Sequence, residues 1–164
     1  MEIETKKQKI IKYTLLSIYI LLVIVFYIFT LSSGAKSAKE SSFVTDVLLW
    51  FLRLITFRKV EFDYDVLHRI TRKLVGHYGY NLLLGLMGTI TIYSFKGLGK
   101  ITLIICGALG LFIAVSGELL QFIPANRGPS FVDMLINFAG EVTGILLSVL
   151  IILVIERRKK TISE

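Results

Sequence analysis

Apolar residues in this chain gather into long, nearly unbroken runs. Four of them, at about 10–31, 74–95, 101–123 and 131–155, match the roughly 20 apolar residues that an α-helix needs to cross bilayer hydrocarbon. A different pattern lies between the first and second runs. Phe43, Val44, Val47, Leu48, Phe51, Leu54 and Ile55 recur at helical spacing, with Asp46, Arg53 and Thr56 largely opposite. The segment, about 43–57, is too short to span. It predicts an amphipathic helix that either lies in the outer interface, with Trp50 at headgroup level, or packs on the rim of the bundle. Ser41 or Ser42 suits its N-cap, and Arg58 with Lys59 its C-terminus. Asp63 or Asp65 offers the next N-cap, for a helix that runs on into the second span. Gly97 and Gly99 mark the second turn, and Pro124, Gly128 and Pro129 the third.

Composition agrees with this pattern. The 164 residues are 54% hydrophobic, with mean hydropathy +0.72. That excludes an ordinary soluble domain, and the length suits one compact unit over residues 1–164. The expected fold class is an all-α membrane protein: a four-transmembrane-helix bundle with an amphipathic outer-loop helix between spans 1 and 2. The first run has lysines ahead of it, as a secretory signal would. Its apolar core exceeds the roughly 7 to 15 residues of a signal core, so an uncleaved span is expected. The lone Cys106 falls in the third run and reads as a buried structural thiol.

A net charge of +7 raises the question of nucleic acid. The basic residues bracket the spans instead of forming a patch with aromatics, so no nucleic-acid partner is expected. Lys6, Lys7, Lys9 and Lys12, then Lys96 and Lys100, then Arg157, Arg158, Lys159 and Lys160 fall on one side of a four-span chain. The positive-inside rule makes that side cytoplasmic, with both termini inside. The long opposing loop is also basic but mixed with acids, and it weighs less in that rule.

With this span order, Arg72, Lys73, His77, Glu118, Gln121, Arg127, Asp133 and Asn137 converge at one depth, at the outer end. Charge beside hydrocarbon costs about 2.5 to 3.5 kcal/mol on insertion scales, so a functional site is the default hypothesis. Lys73, His77 and Asn81 share a helix face, as do Glu118 and Gln121, and Asp133, Asn137 and Glu141. Gly140, Gly144 and Ser148 form a small-residue seam that admits another helix closely and turns the polar stripe inward. Arg72 and Lys73 need either Glu118 and Asp133 or a bound phosphate or carboxylate as partners, or else they snorkel. Arg127 offers a planar donor to the same anions. Glu141 falls near mid-membrane, either protonated or paired with Lys73, His77 or Arg127. No paired-histidine signature, catalytic Ser/His/Asp arrangement or phosphate-binding loop is present, so no metal, cofactor or catalytic residue is assigned.

Arg72-Lys73-Leu74-Val75-Gly76-His77-Tyr78-Gly79, Glu118-Leu119-Leu120-Gln121, Arg127-Gly128, and Asp133 with Asn137 and Gly140 together resemble the VanZ-like family. These are small bacterial membrane proteins named for an accessory factor in teicoplanin resistance. The resemblance covers nearly the whole chain and implies a four-span bundle in the bacterial cytoplasmic membrane. It marks Arg72, Lys73, His77, Glu118, Gln121, Arg127, Asp133 and Asn137 as characteristic positions, while Glu141 departs from the small or apolar residue expected there. It supplies no settled activity. Three readings stay open. The first is a non-enzymatic envelope protein whose outer-leaflet pocket takes a membrane lipid or lipid-linked wall precursor, with an effect on glycopeptide susceptibility. The second is a membrane-embedded hydrolase or transferase acting on a lipid phosphate, and the third a structural, partner-binding bundle.

Overall fold

A computed structural model describes residues 5–33, 43–56, 61–123 and 128–163. The described residues are helical throughout, joined by turns, and contain no strand. The first helix, α1 (Lys6–Ser33), covers the first apolar run, and α2 (Phe43–Ile55) the amphipathic segment. Ser41, Ser42, Arg58 and Lys59, assigned above to the ends of that segment, lie outside the described residues, as does Pro124.

The expected N-cap before the second run is present. Asp63 Oδ1 accepts the backbone N–H groups of Asp65 at 2.8 Å and Val66 at 3.1 Å. From that cap the chain stays helical through α3 (Tyr64–Thr71), a π-helical segment (Arg72–Gly79) and α4 (Tyr80–Lys96). Gly97, with φ of 72°, ends α4 in a conformation that side chains disfavour, and its N–H bonds back to Tyr93 O at 2.8 Å. The chain then returns along α5 (Lys100–Leu119) and a short 3₁₀ turn (Leu120–Phe122), and leaves again along α6 (Phe131–Ser163). Among the described residues, three helical stretches are long and apolar enough to cross a membrane: Lys6–Leu31, Lys100–Phe122 and Phe131–Ile162.

Helices α4 and α6 form the heart of the bundle because glycine lets their backbones touch. A Cβ at Gly144 would strike Leu82 O and, at 2.6 Å, Leu86 N. One at Gly140 would strike Tyr78 O, and one at Gly85 would strike Glu141 O. Ser148 Oγ closes the seam by donating to Leu86 O at 3.0 Å. Small residues at a helix crossing are how close packing replaces the hydrophobic effect where the solvent is itself apolar.

Helix α1 attaches by aromatic contacts. Phe26 packs with Leu84 and Ile113 and stacks on Tyr80 with ring centres 5.7 Å apart. Tyr27 Oη meets Ser116 Oγ at 2.7 Å, and Tyr80 Oη donates to Leu22 O at 2.9 Å. Most other large apolar side chains on α1 are exposed, as those of a lipid-facing helix would be.

Candidate functional site

The polar residues of the sequence converge where the π-helical segment, the end of α5 and the start of α6 meet. Local chemistry places each of them. Ser130 caps α6: its Oγ accepts the N–H of Asp133 at 3.2 Å and its carbonyl accepts Met134 N at 2.9 Å. Asp133 therefore sits in the first helical turn, where the helix dipole favours a carboxylate. One turn on, Asn137 points into the bundle, 1% exposed.

Glu118 is fully buried yet well supplied with donors. Gln121 Nε2 reaches its Oε1 at 2.7 Å, Asn137 Nδ2 reaches the same oxygen at 3.2 Å, and Ser130 N reaches Oε2 at 3.2 Å. These bonds tie the end of α5 to the cap of α6. A carboxylate only accepts, so Asn137 must turn its amide nitrogen to Glu118 and its Oδ1 the other way. That Oδ1 accepts Asn81 Nδ2 at 3.0 Å and lies 3.0 Å from His77 Nδ1. Asn81 also donates to His77 O at 2.6 Å. Asn137 thus joins all three segments.

His77 lies between the two acids. Its Nδ1 is 3.4 Å from Glu118 Oε1, and its Nε2 is 3.7 Å from Asp133 Oδ2. At the rim, Arg72 Nη2 stands 3.5 Å from Asp133 Oδ2 and Lys73 Nζ 3.7 Å from Asp133 Oδ1. The two cationic side chains are 40% and 42% exposed, against 5% for Asp133. Both therefore lean on one buried acid, and no ion pair joins either to Glu118 among the described residues. One ligand atom from each of His77, Glu118 and Asp133 falls within 4.8 Å of the other two, a spacing that a metal ion could bridge.

Seven of the eight residues singled out from the sequence are thus brought together: His77, Glu118, Gln121, Asp133 and Asn137 inside, Arg72 and Lys73 at the rim. Arg127 lies outside the described residues. Asn81, on the same helix face as His77, and Ser130 also belong to the network. The signals were there: Asn81 follows His77 by four residues, and Ser130 precedes an apolar run with an acid three residues on. Glu141 does not join. It is 2% exposed and packs against Gly85 and Gly110 deeper in the bundle, where its Oε1 has no hydrogen-bond partner.

Long apolar helices packed through glycines around a buried polar cluster define a helical membrane protein. The sequence belongs to the VanZ/LLP1 family, which it matches over residues 16–153. Comparison with curated proteins and with solved structures gave no match.

Proposed function

We propose that the chain is a non-enzymatic protein of the bacterial cytoplasmic membrane that holds an anionic, lipid-linked headgroup at the outer end of its bundle. In this reading it forms one domain and crosses the bilayer four times, with residues 74–95 of the α3–α4 helix as the second span and both termini cytoplasmic. Helix α2 lies in the outer interface. Its apolar face, Val47, Trp50, Phe51, Leu54 and Ile55, is exposed, while Thr45 Oγ1 meets His68 Nδ1 on α3 at 3.1 Å.

One observation carries the headgroup reading: two half-exposed cations, Arg72 and Lys73, share a single buried carboxylate. The rim is left with more positive charge than Asp133 can neutralise. Phosphate oxygens are the natural complement of a guanidinium and an ammonium held side by side. Behind them His77, Glu118, Gln121 and Asn137 fix the geometry, and Arg127 adds a further donor. The bound group is a phospholipid or a wall precursor, and occupancy of such lipids would alter glycopeptide susceptibility.

Native mass spectrometry of purified protein tests this. Wild type should retain anionic lipid, and the Arg72→Ala/Lys73→Ala double variant should retain at least about fivefold less. Equal retention would remove the main support.

A structural reading is favoured by a different observation: Glu118 has three donors of its own and needs no ligand. The same bonds weigh against Glu118 as the free base of a hydrolase.

A further inference from the structure

We infer that Glu141 and the small cavity beside it form a proton-binding site deep in the bundle, in which a neutral carboxyl exchanges its proton with one enclosed water molecule. Glu141 lies about 15 Å along α6 from Phe131, at roughly 1.5 Å per residue. It is thus well inside the stretch Phe131–Ile162, which is apolar and long enough to cross a membrane. Its side chain is 2% exposed, and its Oε1 has no hydrogen-bond partner. Buried polar atoms are seldom left so, because each has given up its water.

The space beside this carboxyl is the second observation. A Cβ at Gly110 on α5 would stand 3.1 Å from Glu141 Cβ and 3.3 Å from its Oε2, so the missing side chain makes the room in which the acid lies. Next to it is a cavity of about 10 Å³, enough for about one water molecule. Glu141, Thr89 of α4, Cys106 of α5 and Tyr19 of α1 line that cavity and give a water polar neighbours on several sides. Thr89 spends its own hydrogen on Gly85 O at 2.8 Å, which leaves its oxygen as an acceptor.

Charge selects the occupant. The titratable groups that face Glu141 are Tyr19 from α1 and Cys106 from α5, and neither can become a cation. Helix α4 presents no titratable side chain to the cavity. Among the described residues, no lysine, arginine or histidine lines the cavity or pairs with the acid. A carboxylate buried without a partner is so costly that the group takes up a proton instead. The cavity has room for one water or one ion, but not for an ion with the waters that would complete its shell. A proton needs only the oxygen that binds it and a water to bring it. Ionisable side chains inside membrane bundles mark proton relays. The site does not depend on the headgroup reading above.

Infrared spectroscopy tests the site on full-length protein at neutral pH in dodecyl maltoside, a detergent without carbonyl groups. Wild type should show the carbonyl stretch of a neutral carboxylic acid, a band that carboxylates lack, and Glu141→Gln should lose it. Glu141→Ala, which leaves a wider cavity and no polar group to satisfy, should lose it too and serves if the glutamine variant does not fold. Transfer to D₂O should shift the wild-type band down. The acid then gives its proton to the cavity water and receives a deuteron, with no other bond changed. Replacing choline chloride with sodium chloride at equal concentration should leave the band as it is. Absence of a band that depends on Glu141 would show a carboxylate and overturn the inference. Loss of the band in sodium chloride would overturn it in favour of a metal-ion site. A band that fails to shift in D₂O would overturn it in favour of a sealed structural acid.

Discussion

Asn137 shows how much one side chain can organise. It accepts from His77 and Asn81 and donates to Glu118, so one amide links three segments of the chain. Replacing it with Ala strands two donors and part of a buried carboxylate. We expect Asn137→Ala to lower stability by about 1 to 3 kcal/mol, read as a drop in melting temperature of the purified protein. Gln121→Ala, which removes one bond, should cost about 0.5 to 1.5 kcal/mol. A wild-type melting curve for Asn137→Ala would mean that water or lipid replaces the network. The four-residue spacing of Asp133, Asn137 and Glu141 made the stripe visible in the sequence. The choice of partner did not show there: Asp133 rather than Glu118 takes the rim cations, because Ser130 and Asn137 already occupy Glu118. Such competition for donors depends on distances of tenths of an ångström, which spacing does not encode.

At the scale of elements, the glycine seam on α6 was legible because small residues four apart have a single obvious use in an apolar helix. Its counterpart on α4 and the π-helical segment before it was not, since Gly85 and the carbonyls of Tyr78 and Leu82 contribute backbone rather than pattern. Gly144→Ala places a methyl against Leu82 O and Leu86 N, which are backbone atoms with no rotamer to yield. It should destabilise the fold by about 1 to 3 kcal/mol or more. Gly107→Ala meets nothing within 4 Å and serves as the matched control, with a melting temperature equal to or above wild type. The π-helical segment escaped sequence reading altogether. Arg72–Gly79 has the composition of ordinary helix, and the wider turn becomes evident only as Gly79 approaches Leu74 O, with 3.1 Å to where its Cβ would stand. π-turns concentrate at functional sites, and this one carries Arg72, Lys73 and His77.

For the whole molecule, the order of helices settles which ends meet. Helix α4 leaves the polar cluster, α5 returns to it and α6 departs again, so residues far apart in sequence share one level. The four spans we propose would put Glu61 and Gly128 on one side of the membrane, with Gly99 and Lys159 on the other. Single cysteines at these exposed positions, in a Cys106→Ala background, should react accordingly. In intact spheroplasts an impermeant maleimide should label Cys at 61 and 128, and reach 99 and 159 only after permeabilisation. Labelling of 61 and 99 from the same side would break the four-span arrangement. Apolar length located α1 in the sequence, yet it could not say how that helix is attached. The ring of Phe26 fills the place where a side chain on Gly117 would begin, with ring atoms 2.7 Å from that point, immediately before Glu118 in the chain. Helix α1 is therefore a wedge driven in behind the acid. It braces the polar end from the back, while most of its outward surface answers only to lipid.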